Sequence, residues 1–126
     1  MWRILFVDDE PQVLAALEAQ LRRMKPYWQM VFVRSGNDAL EQLASRAFDF
    51  VVSDMRMPYM DGLTLLREVQ RLHPTVVRIV LSGQHESEAS GHASVVDAFL
   101  QKPCKSNMLK ETIDRLSQAR RPNAAP

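Results

Sequence analysis

Residues 48–62 read Phe-Asp-Phe-Val-Val-Ser-Asp-Met-Arg-Met-Pro-Tyr-Met-Asp-Gly, and they contain the clearest strand and loop signals in the chain. It begins with a short run of aromatic and β-branched residues, which is typical of a strand buried on both faces. The run stops at Ser53 and Asp54, and Pro58 and Gly62 then predict a loop. Asp54 is therefore expected at the carboxyl end of an interior strand, where open α/β sheets bind ligands. Taken alone, a solvated Asp that merely ends a strand would be the better interpretation.

Strand and helix patterns alternate through the rest of the chain. Apolar runs predict four more strands, at residues 3–7, 29–34, 76–81 and 95–101. Apolar residues at helical spacing predict four helices between and after the strands, with inner faces formed by Val13, Leu14, Leu17, Leu21 and Met24; Ala39, Leu40, Leu43 and Ala44; Leu63, Leu66, Val69 and Leu72; and Met108, Leu109, Ile113 and Leu116. A fifth, weak helix is expected over the polar residues 84–94. The alternation predicts an α/β fold: a flavodoxin-like, doubly wound, five-stranded parallel sheet in the order 2-1-3-4-5 with five helices.

Length and composition indicate one ordinary globular domain. The chain has 126 residues, of which 46% are hydrophobic and 25% charged, which is enough to bury a core. Sixteen basic and fifteen acidic residues give a net charge of +1, so nothing calls for direct binding of nucleic acid or a membrane. The single cysteine, Cys104, favours a reducing, cytoplasmic compartment. Residues 1–119 are expected to form the domain, and residues 120–126 a linker or flexible tail that leads to a missing output domain.

Chemically distinctive residues follow four of the five predicted strands. Asp8 and Asp9 follow the first strand, Asp54 the third, Ser82 the fourth and Lys102 the fifth. The predicted topology brings these strand ends to one edge of the sheet, where three carboxylates would repel one another and at least one pKa should rise without a cation. Mg²⁺ prefers such oxygen ligands. The set suits phosphoryl transfer, with Asp54 as the nucleophile and with the metal and Lys102 neutralising the phosphoryl oxygens.

Each of these residues also has a simpler interpretation. Asp9 could be the N-cap of the first helix, Lys102 could extend from a strand end to solvent, and Ser82 could form a turn. Each simple interpretation is individually the better one, but together they require four independent coincidences at one edge of one sheet. A nucleotide-binding loop is excluded, because no glycine-rich segment follows the first strand.

Residues 3–117 resemble the receiver domain of two-component response regulators. The resemblance rests on four motifs in a specific order: Val7-Asp-Asp-Glu10, Ser53-Asp-Met-Arg-Met-Pro-Tyr-Met-Asp-Gly62, Leu81-Ser-Gly83 and Phe99-Leu-Gln-Lys-Pro103. It implies that Asp54 accepts a phosphoryl group from a sensor histidine kinase. It also implies that Mg²⁺ is held by the carboxylates of Asp8, Asp9 and Asp54 and by the backbone carbonyl of Arg56.

The resemblance implies a switch as well as a site. Lys102 and Ser82 would contact the phosphoryl oxygens, and Phe99 would turn inward when Ser82 engages the phosphoryl group, although Phe99 could equally be an ordinary strand aromatic. The output surface would be residues 85–117, which is also a candidate homodimer surface. Arg56 and Gln84 are assigned as modulating residues, with Arg56 near the path of an attacking water.

The resemblance leaves the output open. The segment from Leu81 to Cys104 favours an output domain of the cyclic-dinucleotide phosphodiesterase or HD-related type over a DNA-binding one. The domain itself would be a signalling module rather than an enzyme. The alternative is a small Mg²⁺-dependent phosphatase that uses Asp54 as a transient nucleophile, but such an enzyme would need a second acid at position 56, and Arg56 cannot donate a proton in that way. Tyr59 departs from the family pattern, because glycine is common at its position.

Overall fold

Five strands and four α-helices alternate along residues 1–83 and 94–118, which are the residues that the computed structural model describes. The strands are β1 (Trp2–Val7), β2 (Trp28–Val33), β3 (Phe50–Asp54), β4 (Val77–Ser82) and β5 (Ala98–Gln101). The α-helices are α1 (Pro11–Gln20), α2 (Gly36–Ser45), α3 (Gly62–Leu72) and α4 (Ser106–Ser117). A short 3₁₀-helix at Arg22–Met24 follows α1.

The strands form one sheet, in which every neighbouring pair is parallel and the order is β2-β1-β3-β4-β5. This confirms the predicted doubly wound topology. The fifth predicted helix, over residues 84–94, falls almost wholly outside the described residues, as does the predicted tail at 120–126. Because all the strands run the same way, their carboxyl ends share one edge of the sheet.

Two apolar clusters cover the two faces of the sheet. One joins α2 and α3 to the sheet and includes Leu43, Leu65 and Val80. The other joins α1 and α4 to the opposite face and includes Leu17 and Ile113. Every residue of β3 is buried, as expected for a strand packed on both faces. The strand that carries Asp54 is therefore held by packing along its whole length.

The helical faces differ in detail from the prediction. Met24 lies in the 3₁₀-helix rather than in α1, which ends at Gln20. Leu72 and Met108 are about half exposed, whereas Leu65 is fully buried although the predicted stripe omitted it. Leu72 is the last residue of α3 and Met108 lies in the first turn of α4. The apolar periodicity therefore extended these two buried faces by one turn too many.

Strand β5 is shorter than predicted, because it begins at Ala98 rather than at residue 95. Val95 and Val96 are buried, which explains why their apolar character suggested a longer strand. The strand has only four residues, and in the part of the chain that the structure describes it lies at the edge of the sheet beside β4 alone.

The loop between β3 and α3 contains a strained residue. Tyr59 has a φ of 68°, and the N–H of Met60 donates a hydrogen bond to the carbonyl of Pro58 at 2.7 Å. A bond between residues i and i+2 around a positive φ is the rare γ-turn, and the left-handed region is unfavourable for a residue with a Cβ. The Tyr59 side chain is fully exposed, so it gains no packing within the described residues.

Replacing Tyr59 by Gly is expected to raise the free energy of unfolding by roughly 1 kcal/mol, because glycine adopts a positive φ without the steric cost. Thermal and urea unfolding of the variant would measure this gain. Tyr59→Ala is the matched control, because it removes the exposed ring but keeps the Cβ, and it should leave stability nearly unchanged. A Gly variant no more stable than the Ala variant would contradict the strain at this position.

Candidate functional site

The carboxyl edge of the sheet carries a group of buried polar side chains. Asp8 directly follows β1, Asp54 ends β3 and Ser82 ends β4. Only 2% of Asp8 and 7% each of Asp54 and Ser82 are exposed. Burial of carboxylates is costly unless they are paired with a cation or hydrogen-bonded. The buried polar residues therefore mark this edge of the sheet as the candidate functional site.

Lys102 pairs with two of the carboxylates. Its Nζ lies 3.0 Å from Oδ1 of Asp54 and 3.1 Å from Oδ2 of Asp8. Its backbone N–H donates a hydrogen bond to the carbonyl of Ser82 at 2.8 Å, and the Lys102–Pro103 peptide bond is cis. The residue that follows β5 thus reaches across the ends of β4 and β3 to the end of β1.

The pKa values at this edge reflect burial and charge together. Burial raises the pKa of Asp54, the Asp8 and Asp9 carboxylates raise it further, and the bond to Lys102 opposes them without cancelling the rise. For Lys102, burial would lower the pKa, but the Asp54 and Asp8 carboxylates outweigh burial and hold the pKa above its ordinary value. Lys102 is therefore charged at neutral pH, and the raised pKa of Asp54 follows from burial and crowding with like charges.

Asp8, Asp9 and Asp54 form a set suitable for a metal ion. One carboxylate oxygen from each residue can be chosen so that all three lie within 4.8 Å of one another. Oxygen donors with a local excess of negative charge fit a hard divalent cation such as Mg²⁺, which usually takes one or two carboxylates and completes its shell with water or phosphate oxygens. The N-cap of α1 is Glu10, with no side-chain cap, so the simpler interpretation of Asp9 as that N-cap is wrong.

The loop after Asp54 is tied back to the end of β3. The N–H of Gly62 donates to the carbonyl of Met55 at 2.8 Å, and the N–H of Met55 donates to the carbonyl of Leu81 at 3.0 Å. A Cβ at position 62 would collide with the backbone carbonyl oxygen of Asp54. The sequence identified Gly62 as the end of the loop and the start of the third helix, which α3 confirms, but it gave no indication that Gly62 packs against Asp54.

The other predicted site residues take different positions. Phe99 is partly buried in β5 and packs against the cluster on the α2 and α3 face. The side chain of Arg56 is exposed, and Gln84 lies outside the described residues. The structure therefore brings together Asp8, Asp9, Asp54 and Lys102, with Ser82 at the end of the intervening strand β4.

One comparison concerns the protein family. The family model described as the response regulator receiver domain matches residues 4–114.

Within the described ranges, no helix is both long and apolar enough to cross a lipid bilayer.

A curated relative has a similar sequence over most of the chain. The transcriptional regulatory protein ZraR of Salmonella typhimurium is 32% identical over 114 residues, which cover 89% of this chain and 25% of ZraR. The chain therefore spans about a quarter of the length of this relative.

Solved structures extend the similarity to the fold. The response regulator TrrA of Thermotoga maritima, in complex with Mg²⁺ and BeF, has a TM-score of 0.81 and 27% identity, covering 92% of this chain and 99% of that chain. TrrA also appears in complex with the histidine kinase ThkA, with the same TM-score and identity and coverage of 92% and 98%. The signal receiver domain of an HD domain-containing protein from Pseudomonas fluorescens Pf-5 has a TM-score of 0.83 and 28% identity, covering 94% of this chain and 88% of that one.

Proposed function

Because the chain belongs to the response regulator receiver domain family, we propose that it is a signalling switch that is activated by phosphorylation of Asp54. The observation that carries this assignment is the contact of Lys102 with both Asp54 and Asp8, beside the third carboxylate of Asp9. The module passes on a signal rather than turning over a substrate of its own. The phosphatase alternative has no support, because the family model that matches the chain is that of a receiver domain.

The reaction is a phosphoryl transfer to a carboxylate. An oxygen of Asp54 attacks the phosphorus atom of the donor, a new O–P bond forms, and the bond from phosphorus to the leaving group breaks. With a phosphohistidine donor the imidazole leaves with the electron pair and takes up a proton. Only the carboxylate form of Asp54 is nucleophilic, and burial raises the pKa of this group. Additional positive charge at the site would therefore favour the reactive form.

Lys102 supplies one such charge. Its ammonium group already contacts an oxygen of Asp54 at 3.0 Å, so it lies near the position that the transferred group would occupy. There it would neutralise the charge on the phosphoryl oxygens. Ser82, at the end of the adjacent strand, would supply a hydroxyl donor to the same oxygens.

The residues present also fit Mg²⁺. Asp8, Asp9 and Asp54 would hold it, together with the backbone carbonyl of Arg56. When bound, the ion would neutralise charge on the carboxylates and the phosphoryl oxygens. The fit rests on the three converging carboxylate oxygens, and it is supported by the Mg²⁺ and BeF complex of TrrA.

The partners follow from the same family. A sensor histidine kinase is the proposed phosphodonor, as supported by the complex of TrrA with a histidine kinase. Phosphorylation would act through residues 85–117, with Ser82 and Phe99 as the switch pair, to control an output domain or a second copy of the chain. We propose an output domain of the HD-related or cyclic-dinucleotide phosphodiesterase type; a receiver domain of an HD domain-containing protein is among the similar structures, whereas ZraR is named as a transcriptional regulator. A cytoplasmic location is proposed from the single cysteine.

The test is direct labelling. Incubation of the purified chain with acetyl phosphate and Mg²⁺ should add one phosphoryl group, as measured by intact mass, and omission of Mg²⁺ should greatly reduce the yield. A wild-type chain that gains no mass from acetyl phosphate or from any autophosphorylated sensor kinase would overturn the assignment.

Asp9→Ala is expected to weaken Mg²⁺ binding by about tenfold or more, since even partners outside the ligand shell are worth about 10–100-fold in metal affinity. The same change should not destabilise the metal-free fold, because the Asp9 carboxylate contributes to raising the pKa of Asp54 and its removal relieves repulsion. A Mg²⁺ titration and a metal-free thermal melt measure the two effects. Unchanged Mg²⁺ affinity would argue against a metal-binding role for Asp9.

Arg56→Ala is expected to shorten the lifetime of the phosphorylated protein severalfold. The long, charged side chain lies two residues after the acceptor and is exposed, so it would obstruct in-line attack by water without supplying a base. The decay rate in Mg²⁺, compared between wild type and the variant, measures this effect. A slower decay in the variant would show that the Arg56 charge assists hydrolysis instead.

A further inference from the structure

Two Arg–Asp pairs with the same geometry lie at the edge of the sheet opposite the carboxylates. In the first pair, the backbone N–H of Arg3 donates to Oδ2 of Asp49 at 2.8 Å, and the N–H of Asp49 donates to the carbonyl of Arg3 at 2.8 Å. The guanidinium of Arg3 donates to the carbonyl of Ala47, also at 2.8 Å. That carbonyl belongs to the residue two positions before the aspartate.

The second pair repeats each of these bonds. The N–H of Arg78 donates to Oδ2 of Asp97 at 2.8 Å, and the N–H of Asp97 donates to the carbonyl of Arg78 at 2.7 Å. The guanidinium of Arg78 donates to the carbonyl of Val95 at 2.6 Å, again two residues before the aspartate. Arg78 is a buried charged residue, so these bonds satisfy groups that water does not reach.

The two pairs stand at equivalent places relative to the functional site. Asp49 immediately precedes β3 and lies five residues before Asp54, whereas Asp97 immediately precedes β5 and lies five residues before Lys102. We propose that the Arg78–Asp97 pair is a positioning pair, which fixes the register of β5 and thereby places Lys102 against Asp54. This inference rests on the proposed function, and it assigns a role to residues remote from the chemistry.

The register of strand β5 depends on such a pair more than the register of β3 does. All five residues of β3 are buried and the strand pairs with both β1 and β4, so a shift by one residue would disrupt close packing on both faces. Strand β5 has only four residues, of which three are partly buried and one is exposed, and among the described residues it pairs with one strand. Burial therefore fixes the register of β3, whereas that of β5 depends more on how its ends are held.

The end contacts of β5 are specific. Its amino end is held by the Arg78–Asp97 pair, and beyond its carboxyl end the N–H of Lys102 donates to the carbonyl of Ser82. A shift of one residue along a strand moves each Cα by about 3.3 Å. The ammonium of Lys102 lies 3.0 Å from Asp54, so a shift of that size would break the contact.

The test compares Asp97 variants in the full chain. Asp97→Ala should slow phosphorylation by acetyl phosphate and Mg²⁺ by about tenfold, since a misplacement of about 1 Å can cost up to about 100-fold. Asp97→Asn should restore most of the rate, because its amide oxygen can still accept the N–H of Arg78. The Asp97 side chain is partly exposed, so its truncation leaves the core intact. Equal rates for wild type and Asp97→Ala would overturn the proposal.

Two further measurements separate positioning from general stability. In a Lys102→Ala background, Asp97→Ala should cause little additional loss of rate, because the pair acts through Lys102; a full additional loss would overturn the proposal. Hydrogen exchange at the Lys102 amide should speed up in Asp97→Ala but not in Leu43→Ala, a core truncation in α2. Equal acceleration in both variants would indicate a purely structural role. The exchange experiment does not need phosphorylation, so it decides the inference even if Asp54 proves not to be the acceptor.

Discussion

Asp54→Asn is expected to abolish the phosphoryl adduct that the wild-type chain forms with acetyl phosphate and Mg²⁺. The carboxylate oxygen that would attack phosphorus is replaced by a neutral amide, which is a far weaker nucleophile. The change also removes one of the three charges that would hold the metal. Intact mass after a long incubation gives a result close to all or none.

The Asn variant is also expected to stay folded. The surroundings raise the pKa of Asp54, through burial and the neighbouring Asp8 and Asp9 carboxylates, so they disfavour its charged form and accept a neutral side chain readily. A thermal melt should therefore match or exceed that of the wild type without metal. Asp114→Asn, at an exposed ion pair on α4, is the matched control and should label normally. The same adduct in Asp54→Asn would move the acceptor to another residue.

Gly62→Ala is expected to cause the largest loss of stability among Gly→Ala changes at the three described glycines. Its Cβ would overlap the backbone carbonyl oxygen of Asp54 and approach the Cα of Met55, and backbone at the end of a fully buried strand cannot move aside easily. Overpacking of this kind costs roughly 1–3 kcal/mol. The shift would also displace Asp54 itself, so the labelling rate should fall with the melting temperature.

Two other glycines provide controls for this effect. A Cβ at Gly83 would meet no atom within 4 Å, so Gly83→Ala should change the free energy of unfolding by less than about 0.5 kcal/mol. A Cβ at Gly36 would meet the end of the flexible Met60 side chain, which can turn away at small cost. Urea unfolding of the three variants should therefore rank Gly62→Ala as clearly the least stable. Equal stabilities would show that the end of β3 is more adaptable than its packing implies.

The topology and the location of the site were predictable because they depend on local patterns. Apolar runs and helical stripes marked the strands and helices, and alternation of the two types predicts a parallel sheet. In such a sheet the residues after each strand must share one edge, so Asp8, Asp54 and Lys102 could be placed together before any distance was known. The structure confirms both the strand order and this proximity.

The ends of helices and strands were less predictable, because the spacing of apolar residues does not show where burial of a face stops. Leu72 and Met108 continue the apolar stripe of their helices, yet each is about half exposed in a terminal turn. Val95 and Val96 are buried without belonging to β5. In each case the apolar side chain fits the predicted pattern, but the helix face is no longer covered or the strand has not yet begun at that residue.

The order of the strands and the identity of the residues at their carboxyl ends could thus be read from the amino-acid sequence. How these residues meet is visible only in the folded chain: the contact of Lys102 with two carboxylates, the packing of Gly62 on Asp54, and the pairing of Arg78 with Asp97. Each of these contacts joins residues that are distant in sequence or folded back by a loop. Local propensity carries no information about such distances, because they are set by strand register and by close packing of the two faces.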